Sequence, residues 1–323
     1  MPYAAVIELA LYHREYGFYS SGGQAGRRGD FITSPEVGPL FGYVVANALD
    51  AEWDRLGQPE DFTVVDYGAG PGTLARSVAS AKPRCAGVLR YIAIERSGAQ
   101  RNLHPKGIVS SETLTAELVN NGLVGVIIAN ELLDNLAFDP VVTVGNELRY
   151  SDVVVDDYGS LSAVASPRAV EAGIFDAGVT AGVVQHAAAS WLRDVSGVMV
   201  AGSILMIDYA RLRSSEVEVR TFAAHGAGGD PLVGIGTKDI TVDVDLEQLQ
   251  ARVSPASKIA SQASWLKQHG LDALVDEGRE LWHAGAAMGS LEALKARSRI
   301  REAEALTEEN GLGGFTVAEW SIS

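Results

Sequence analysis

The segment Thr63-Val-Val-Asp-Tyr-Gly-Ala-Gly-Pro-Gly-Thr-Leu74 decides the fold of this chain. An apolar run ends there in three glycines at every second position, and a pattern typical of a helix follows. The segment therefore predicts a strand, a tight turn and the start of a helix. Glycine has no Cβ atom and tolerates positive φ angles, so we expect this turn to bring the backbone close to a ligand.

The spacing of the glycines separates two kinds of cofactor. A dinucleotide fingerprint, G-x-G-x-x-G, counted from Gly68 requires a glycine at the position of Thr73, so a nicotinamide cofactor held through its pyrophosphate is disfavoured. The spacing G-x-G-x-G after an acidic strand end resembles the first motif of class I methyltransferases, whose turn packs against the amino-acid part of S-adenosylmethionine. Gly68, Gly70 and Gly72 are therefore candidate cofactor contacts. Asp66 is expected to order the turn or to meet the amino group of the ligand through water.

A second predicted strand, Leu89-Arg-Tyr-Ile-Ala-Ile-Glu95, ends in a carboxylate 27 residues after Gly68. In a doubly wound sheet the second strand lies beside the first, so its terminal carboxylate can accept hydrogen bonds from two vicinal ribose hydroxyls. We predict that Glu95 binds the ribose of the cofactor. The alternative is a solvated glutamate at a strand end.

Two polar residues follow a third apolar run, Leu123-Val-Gly-Val-Ile-Ile-Ala129. Continuous hydrophobicity suits a strand that is buried on both faces of a parallel sheet. Ligands of open α/β sheets bind beyond the carboxyl ends of the strands, so Asn130 and Glu131 should face the same crevice as the glycines. Both are candidate catalytic residues, although Asn130 can also cap a following helix and Glu131 can pair with an arginine. Gly202-Ser-Ile-Leu-Met-Ile-Asp208 is expected to be the next strand.

Composition limits the classes of function. The 323 residues are 47% hydrophobic, which is enough for a substantial core in one or two domains. With 41 acidic and 26 basic residues the net charge is −15, which repels nucleic-acid phosphates and anionic lipid. Neither a nucleic acid nor a membrane is therefore expected as a partner.

Cysteine and histidine usage excludes several kinds of site. Cys85 is the one cysteine, so an intrachain disulfide and a cysteine-clustered zinc site are excluded. The six histidines show no metal-binding spacing, so no metal is expected. The first residues lack the basic flank and cleavage site of a signal peptide, and no run approaches the length of a membrane span. We expect a soluble, cytoplasmic protein.

The remaining pattern predicts one decorated domain over residues 1–323. Apolar residues repeat at helical spacing from Leu40 to Leu56. Residues 135–201 are too long for an ordinary crossover and predict an insertion of short strands followed by a helix around Val183 to Leu192. Residues 245–310 have a helical pattern, in which Asp245 is an expected N-cap. The last residues, from Gly311, indicate a turn into a terminal strand.

Four blocks give the chain a more specific resemblance. They are Leu9-Ala-Leu-Tyr-His-Arg-Glu-Tyr-Gly-Phe-Tyr19, Gly29-Asp-Phe-Ile-Thr-Ser-Pro-Glu36, the glycine turn, and Ala129-Asn-Glu-Leu-Leu-Asp134. A fifth block, Gly236-Thr-Lys-Asp-Ile-Thr-Val-Asp-Val-Asp245, is similar to a late element of the same family. Together they resemble the MidA family, also called the mitochondrial complex I assembly factor 7 family, over nearly the whole chain. The block from Gly29 to Glu36 is the most specific, because general methyltransferases lack it.

This resemblance implies an α/β fold, namely the Rossmann-like sheet of class I methyltransferases with helices on both faces. It also implies S-adenosyl-L-methionine as cofactor, bound at the glycine turn and Glu95. For eukaryotic relatives it implies an arginine in a subunit of respiratory complex I as the methyl acceptor. The turn departs from the family pattern at Pro71, where the family usually has arginine. A bacterial member of the family is the expected identity.

Arginine as an acceptor makes a chemical demand on the site. Methyl transfer from a sulfonium depends mainly on correct placement of the nucleophile. A guanidinium stays protonated, so carboxylates must orient it, draw charge from one nitrogen and take the proton after transfer. Glu131 is the first candidate, and Glu36 is a second if the N-terminal segment folds over the crevice. Thr33 is a candidate cofactor contact, and the alternative is that it orders the turn before Pro35.

We therefore predict a methyltransferase that uses S-adenosyl-L-methionine to methylate a protein side chain, with arginine favoured. One alternative is a non-catalytic assembly or interaction protein that keeps the methyltransferase fold and cofactor site. A second, a nucleotide-dependent oxidoreductase, rests on fold analogy and is opposed by Thr73. The expected partner is a protein substrate, and a homodimer is left open.

Overall fold

The computed structural model describes residues 1–21, 33–176, 178–214, 217–223, 226–286 and 290–323. Its strands are β1 (Phe62–Tyr67), β2 (Leu89–Ile94), β3 (Val109–Ser111), β4 (Leu123–Asn130), β5 (Asp139–Val144), β6 (Glu147–Val155), β7 (Leu161–Ala169), β8 (Ala181–Val184), β9 (Met199–Asp208), β10 (Ala210–Arg211), β11 (Val219–Ala223), β12 (Gly226–Ala227), β13 (Asp239–Val242), β14 (Val244–Asp245), β15 (Lys258–Ser261) and β16 (Thr316–Ile322).

The α-helices of the described residues lie before, between and after these strands. They are α1 (Tyr3–Tyr12), α2 (Phe18–Ser21), α3 (Ser34–Val37), α4 (Pro39–Arg55), α5 (Thr73–Ala81), α6 (Gly98–Arg101), α7 (Ala116–Asn121), α8 (His186–Val198), α9 (Leu246–Arg252), α10 (Gln262–Gln268), α11 (Leu271–Gly285) and α12 (Leu291–Thr307).

The central sheet has seven strands in the order β15-β16-β9-β4-β1-β2-β3. Strands β3, β2, β1, β4 and β9 run parallel to one another. Strand β16 lies between β9 and β15 and runs antiparallel to both. The chain order reverses between β1 and β4, so the carboxyl ends of β1, β2 and β4 meet at a topological switch point. This is the α/β class I methyltransferase-like sheet that the sequence predicts.

The central strands are apolar on both faces, as their continuous hydrophobic runs predict. Alternate residues such as Val64 and Val126 pack against α4, α5 and α10 to α12. The residues between them, such as Val65 and Ile127, pack against α7, α8 and α9. Two layers of helices therefore cover the sheet, and burial of both strand faces excludes water from the middle of the molecule.

Residues after β4 form a separate antiparallel sheet in the order β7-β6-β5-β8. Helix α1 packs on it, since Tyr3, Val6 and Ile7 share a cluster with Phe138 and Val153. The predicted helix start at Val183 is wrong: Val183 and Val184 pair with β5, and the helix begins at His186. Cross-strand pairing determines the conformation of these two valines, which are β-branched and suit a strand.

The predicted helix from Leu40 to Leu56 is confirmed as α4, and the terminal strand is confirmed as β16. The Asp245 side chain accepts a hydrogen bond from Gln248 N at 3.0 Å, as the predicted N-cap requires. Strand β15 interrupts the helical pattern of residues 245–310 and was not predicted.

No helix in the described ranges has both the length and the apolarity needed to cross a membrane.

Candidate active site

A cavity of about 520 Å³ opens at the carboxyl ends of β1, β2 and β4. It collects most of the predicted site residues, although they come from four separate parts of the chain. Those on its wall are Thr33, Glu36, Asp66, Gly68, Gly70, Glu95, Asn130 and Glu131. Gly29 to Ile32, which begin the most specific sequence block, lie outside the described residues.

The glycine turn has the conformation that its sequence predicts. Gly68, Gly70 and Gly72 have φ angles of 78°, 52° and 78°, in the region that favours glycine. A Cβ atom on Gly70 would lie 3.3 Å from Gln100 Oε1, and one on Gly72 would lie 2.9 Å from Pro105 Cδ. Gly72 is not on the cavity wall, so its missing side chain serves packing against Pro105 and the start of α5.

Glu95 lies beside the turn and is held by two backbone amides. Gly70 N donates to Glu95 Oε2 at 2.9 Å, and Ser97 N donates to Glu95 Oε1 at 2.7 Å. Each carboxylate oxygen keeps a second lone pair, so the group can still accept hydrogen bonds from a ligand in the cavity. The turn and the carboxylate therefore form one unit rather than two independent contacts.

Asp66 stands at the end of β1, where it is 3% exposed. Its Oδ2 accepts a hydrogen bond from the Tyr91 hydroxyl at 2.9 Å. Burial raises the pKa of the Asp66 carboxyl to about 7. A cationic group in the cavity would restore its charge, which fits the predicted contact with an amino group.

Glu131 has a strained backbone. Its φ angle is 53°, a left-handed conformation that costs a non-glycine residue about 1–3 kcal/mol. Glu131 N donates to Ile207 O at 2.8 Å, which fixes this turn to β9. The strained turn places the side chain on the cavity wall directly after β4.

Burial dominates the acid–base properties of Glu131 and raises the pKa of its carboxyl to about 8. Two hydrogen bonds to Oε1 partly oppose this, one from Ser34 N at 3.0 Å and one from Asn130 Nδ2 at 3.1 Å. The neighbouring Asp208 carboxyl raises the pKa further. The group is therefore prepared to ionise when a cation comes near.

Besides the donor Trp191 Nε1, two acceptor atoms next to the cavity have no hydrogen-bond partner within the described residues. They are Asn130 Oδ1 and Gln100 Oε1, and both are shielded from bulk solvent. An unpaired buried acceptor costs free energy that a ligand donor can recover. Together with the turn that leaves no room for side chains, they make the cavity suited to a polar ligand such as S-adenosylmethionine.

Helix α3 carries Glu36 to the glycine turn. The Thr73 hydroxyl donates a hydrogen bond to Glu36 Oε1, so this carboxylate is tied to the start of α5. Thr33 is 9% exposed and precedes α3 without capping it through its side chain. The N-terminal segment therefore forms one wall of the crevice, as the prediction for Glu36 requires.

Behind Glu131 lies a group of buried carboxyls. Asp208 Oδ2 accepts hydrogen bonds from the backbone of Leu132 and Leu133 at 3.1 and 2.8 Å. Asp134 is 4% exposed, and burial with the nearby carboxyls of Asp208 and Asp239 holds its pKa well above its usual value. Carboxyls held protonated in this way ionise when a cation approaches, so this end of the cavity favours a cation over an anion.

The cavity wall also contains aromatic side chains that the sequence analysis did not include among the site residues. Tyr12 and Tyr19 stack with ring centroids 5.6 Å apart, and Trp191 packs edge-on against Tyr67. The Arg96 guanidinium lies 4.1 Å from the Tyr12 ring centroid. Both tyrosines belong to the block from Leu9 to Tyr19, which was a signal that could have identified them.

In the part of the chain that the structure describes, no group of three or more His, Cys, Asp or Glu side chains is arranged to hold a metal ion.

Proteins of known name share parts of this sequence. Protein arginine methyltransferase NDUFAF7 homolog, mitochondrial, of Drosophila melanogaster is 42% identical over 78 residues, which is 24% of this chain and 18% of that protein. Protein arginine methyltransferase NDUFAF7, mitochondrial, of Mus musculus is 26% identical over an alignment covering 82% of this chain and 71% of that protein.

Solved structures share the fold over the whole chain. A COG1565 superfamily member from Burkholderia thailandensis, described as a "likely methyl transferase" and bound to S-adenosyl-homocysteine, is 26% identical. The comparison covers 99% of this chain and 87% of that one, with a TM-score of 0.81.

A family model described as "Putative S-adenosyl-L-methionine-dependent methyltransferase" matches residues 44–264. The matched range contains the glycine turn, Glu95 and Glu131, and it is more than half of the chain. This chain therefore belongs to that family of S-adenosyl-L-methionine-dependent methyltransferases, as its resemblance to the MidA family predicts.

Proposed function

We propose that this protein transfers a methyl group from S-adenosyl-L-methionine to a protein side chain, with the arginine guanidinium as the first candidate. One observation carries the proposal: a single cavity joins the glycine turn and Glu95 to the half-buried pair of Asn130 and Glu131. Donor and acceptor sites on one cavity wall are what an in-line transfer needs.

The donor end would be formed by Gly68, Gly70, Glu95 and Asp66. Glu95 accepts hydrogen bonds from the ribose hydroxyls through the lone pairs that do not bind Gly70 N and Ser97 N. Asp66 meets the amino group, which lowers the carboxyl pKa back towards its ordinary value. When bound, the cofactor supplies an electrophilic methyl group.

At the acceptor end Glu131 meets the guanidinium. An arriving cation lowers the Glu131 pKa, so the carboxylate forms as the pair forms. The ionised group orients one nitrogen and takes its proton after transfer. Asn130 Oδ1 accepts a hydrogen bond from a second N–H group, and Glu36 supplies further negative charge from another part of the cavity wall.

The curated relatives support arginine as the acceptor. They are named protein arginine methyltransferases, and the mouse protein is matched over 71% of its length. The buried carboxyls at that end of the cavity support the same choice, because they ionise beside a cationic side chain and gain nothing from a neutral one. A reducing cytoplasmic location is part of the proposal and is supported by the single, buried thiol of Cys85.

Calorimetry with S-adenosylmethionine tests the donor half. The wild type should bind, and Gly70→Val should lose binding, because its new side chain would enter the cavity and force a valine to a φ of 52°. Gly57→Val is the matched control: Gly57 has a φ of 79° and no atom within 4 Å of an added Cβ. Absence of binding by the wild type would refute the cofactor assignment.

Incubation of the protein with cell lysate and methyl-labelled cofactor tests the acceptor half. Methylarginine should appear with the wild type and not with Glu131→Gln. Cofactor binding without any labelled protein would favour the alternative, a non-catalytic interaction protein that retains the site. A labelled residue other than arginine would keep the methyltransferase and replace the acceptor.

A further inference from the structure

A chain of buried hydrogen bonds runs from Glu131 away from the cavity into the helical region. Ser34 N donates to Glu131 Oε1 at 3.0 Å, and the Ser34 hydroxyl donates to Gln262 Oε1 at 2.9 Å. Gln262 Nε2 then donates to Leu306 O at 3.2 Å, at the end of α12. Ser34 and Gln262 are both 0% exposed. Water therefore cannot replace the partners of the Ser34 hydroxyl or of the Gln262 side chain.

We propose that Gln262 is a positioning residue for the reaction, because it holds Ser34 in the place where its backbone N–H orients the Glu131 carboxylate. Gln262 itself lies outside the cavity wall and touches no substrate. The inference rests on the proposed function, in which Glu131 meets the acceptor.

The first residue of α10 is well fixed for this purpose. Gln262 N donates to Phe315 O at 2.7 Å, beside the start of β16. Both polar atoms of its side chain have partners, so the amide orientation is determined by the network. A buried amide costs free energy unless it is hydrogen-bonded, and each polar atom of this one has a partner. The backbone of β16 and α12 therefore sets the position of Ser34.

A second buried contact holds the same segment from the same side. Leu40 N, in the first turn of α4, donates to Glu302 Oε2 of α12 at 2.9 Å. A Cβ atom on Gly38 would lie 2.3 Å from Glu302 Cδ, so α12 fits closely against the joint between α3 and α4. Ser34 therefore cannot be displaced without breaking contacts with both α10 and α12.

The charges around Glu131 define the expected direction of change. The ionisable groups that face it are Asp208 and Tyr209 at the end of β9 and Asp134 after β4. All three favour the protonated form of Glu131 when they carry negative charge. The hydrogen bonds from Ser34 N and Asn130 act in the opposite direction. Loss of the Ser34 bond therefore raises the pKa of Glu131.

Titration of full-length protein labelled with ¹³C at the glutamate carboxyl carbon tests the proposal without cofactor or turnover. The Glu131 signal is identified by its absence in Glu131→Gln. Gln262→Leu should raise the Glu131 midpoint by about 1 pH unit, since one hydrogen bond to a charged group is lost or lengthened. Ser34→Ala, which removes a single oxygen atom and keeps the backbone N–H, should move the midpoint in the same direction.

Turnover gives a second readout. A midpoint raised by about 1 pH unit leaves about one tenth of Glu131 ionised relative to the wild type at neutral pH in the free enzyme, so kcat/KM for the protein acceptor falls about 10-fold. KM for S-adenosylmethionine should stay within about 2-fold, because the donor residues do not contact Gln262. The acidic limb of the pH–rate profile moves to higher pH.

Gln248→Leu is the matched control. Gln248 is 3% exposed and donates through Nε2 to Val183 O at 2.7 Å, on the other face of the sheet. It should lower the melting temperature as Gln262→Leu does and leave the Glu131 midpoint unchanged. If the Glu131 titration midpoint were the same in Ser34→Ala, Gln262→Leu and the control Gln248→Leu, the positioning role of Gln262 would be overturned. Full turnover by Glu131→Gln would instead refute the role of Glu131 in the proposed function, and the midpoint shift in the Gln262 and Ser34 variants would still be measurable.

Discussion

The two ends of the cavity are built by different means. At the donor end the backbone does most of the work: Glu95 accepts from Ser97 N, two residues away, and from Gly70 N, 25 residues away. At the acceptor end the partners come from distant parts of the chain. Glu131 accepts from Ser34 N across 97 residues, and Asp208 accepts from Leu132 N across 76.

The difference means that local backbone geometry fixes the donor end, whereas the whole fold sets the pKa of the carboxyl at the acceptor end. A glycine turn between a strand and a helix is fixed by local backbone geometry, so it can present amides in any chain with this motif. A carboxyl such as Glu131 obtains its pKa from burial and neighbouring charges, which depend on the whole fold. Substitutions at the donor end should therefore change affinity, and those at the acceptor end should change chemistry.

Glu131→Gln should give the largest effect. The amide cannot take a proton from the acceptor, so kcat should fall about 10²–10⁴-fold, while the dissociation constant of S-adenosylmethionine changes about 3-fold or less. Single-turnover kinetics and calorimetry measure the two quantities. Glu117→Gln, on the surface of α7, is the control and should keep full activity. A loss confined to cofactor affinity would contradict the division between the two ends.

Glu95→Gln should give the reverse pattern. One charged acceptor of ribose hydroxyls is lost, so the dissociation constant should rise about 10- to 100-fold. At saturating cofactor kcat should be nearly that of the wild type. If kcat fell while binding was unchanged, Glu95 would belong to the catalytic end.

The pH dependence of stability sharpens the comparison further. Burial raises the carboxyl pKa of Asp66 to about 7 and of Glu131 to about 8, against ordinary values of 3.8 and 4.5. Between these limits both groups bind more protons in the native state than in the unfolded state, so their contribution to stability is fully present at low pH and is lost as the pH rises to about 8. Each group contributes a slope of up to about 1.4 kcal/mol per pH unit.

Chemical denaturation of the cofactor-free protein between pH 5 and pH 8 measures this slope. Glu131→Gln removes one titrating group and should reduce the slope of stability against pH by up to about 1.4 kcal/mol per pH unit. Glu117→Gln should leave it unchanged, since hydrogen bonding by Arg90 lowers the Glu117 pKa and the group is ionised throughout this range. An unchanged slope in Glu131→Gln would show that the native carboxyl is already ionised.

Glu8→Gln should give the smallest effect. Glu8 pairs with Arg96 at the rim of the cavity, where their side chains are 43% and 49% exposed. Exposed ion pairs contribute about 0–1 kcal/mol, so the melting temperature and the cofactor affinity should hardly change. Thermal unfolding with and without cofactor measures both. A loss as large as that of Glu95→Gln would show that helix α1 closes the donor end.

The central sheet and the donor end could be predicted from the sequence because their signals are local. Apolar runs end in Asp66, Glu95 and Asn130, and each run is one buried strand. Strand β15 escaped prediction because it has only four residues, and its pairing with β16 joins Lys258 to Glu319. The wrong helix start at Val183 has the same cause, since pairing with β5 is set by the fold.

The sequence predicted which residues form the acceptor end, but not the hydrogen bonds that hold them. Position after a buried strand identified Glu131, yet no spacing rule relates Ser34 to Gln262, which are 228 residues apart. The positive φ of Glu131 was equally hidden, because glutamate rarely adopts it. Tyr12 and Arg96 contact each other only because α1 packs beside the end of β2.

The attachment of Ser34 to Gln262 and of Leu40 to Glu302 has a consequence for biosynthesis. The wall that carries Glu36 leaves the ribosome early, whereas the helices that hold it emerge in the last quarter of translation. The glycine turn and Glu95 can pair as soon as β2 is made. A nascent chain therefore lacks the contacts that hold Ser34 against Glu131, and the helices α10 to α12 that cover β1 and β4, until translation is nearly complete.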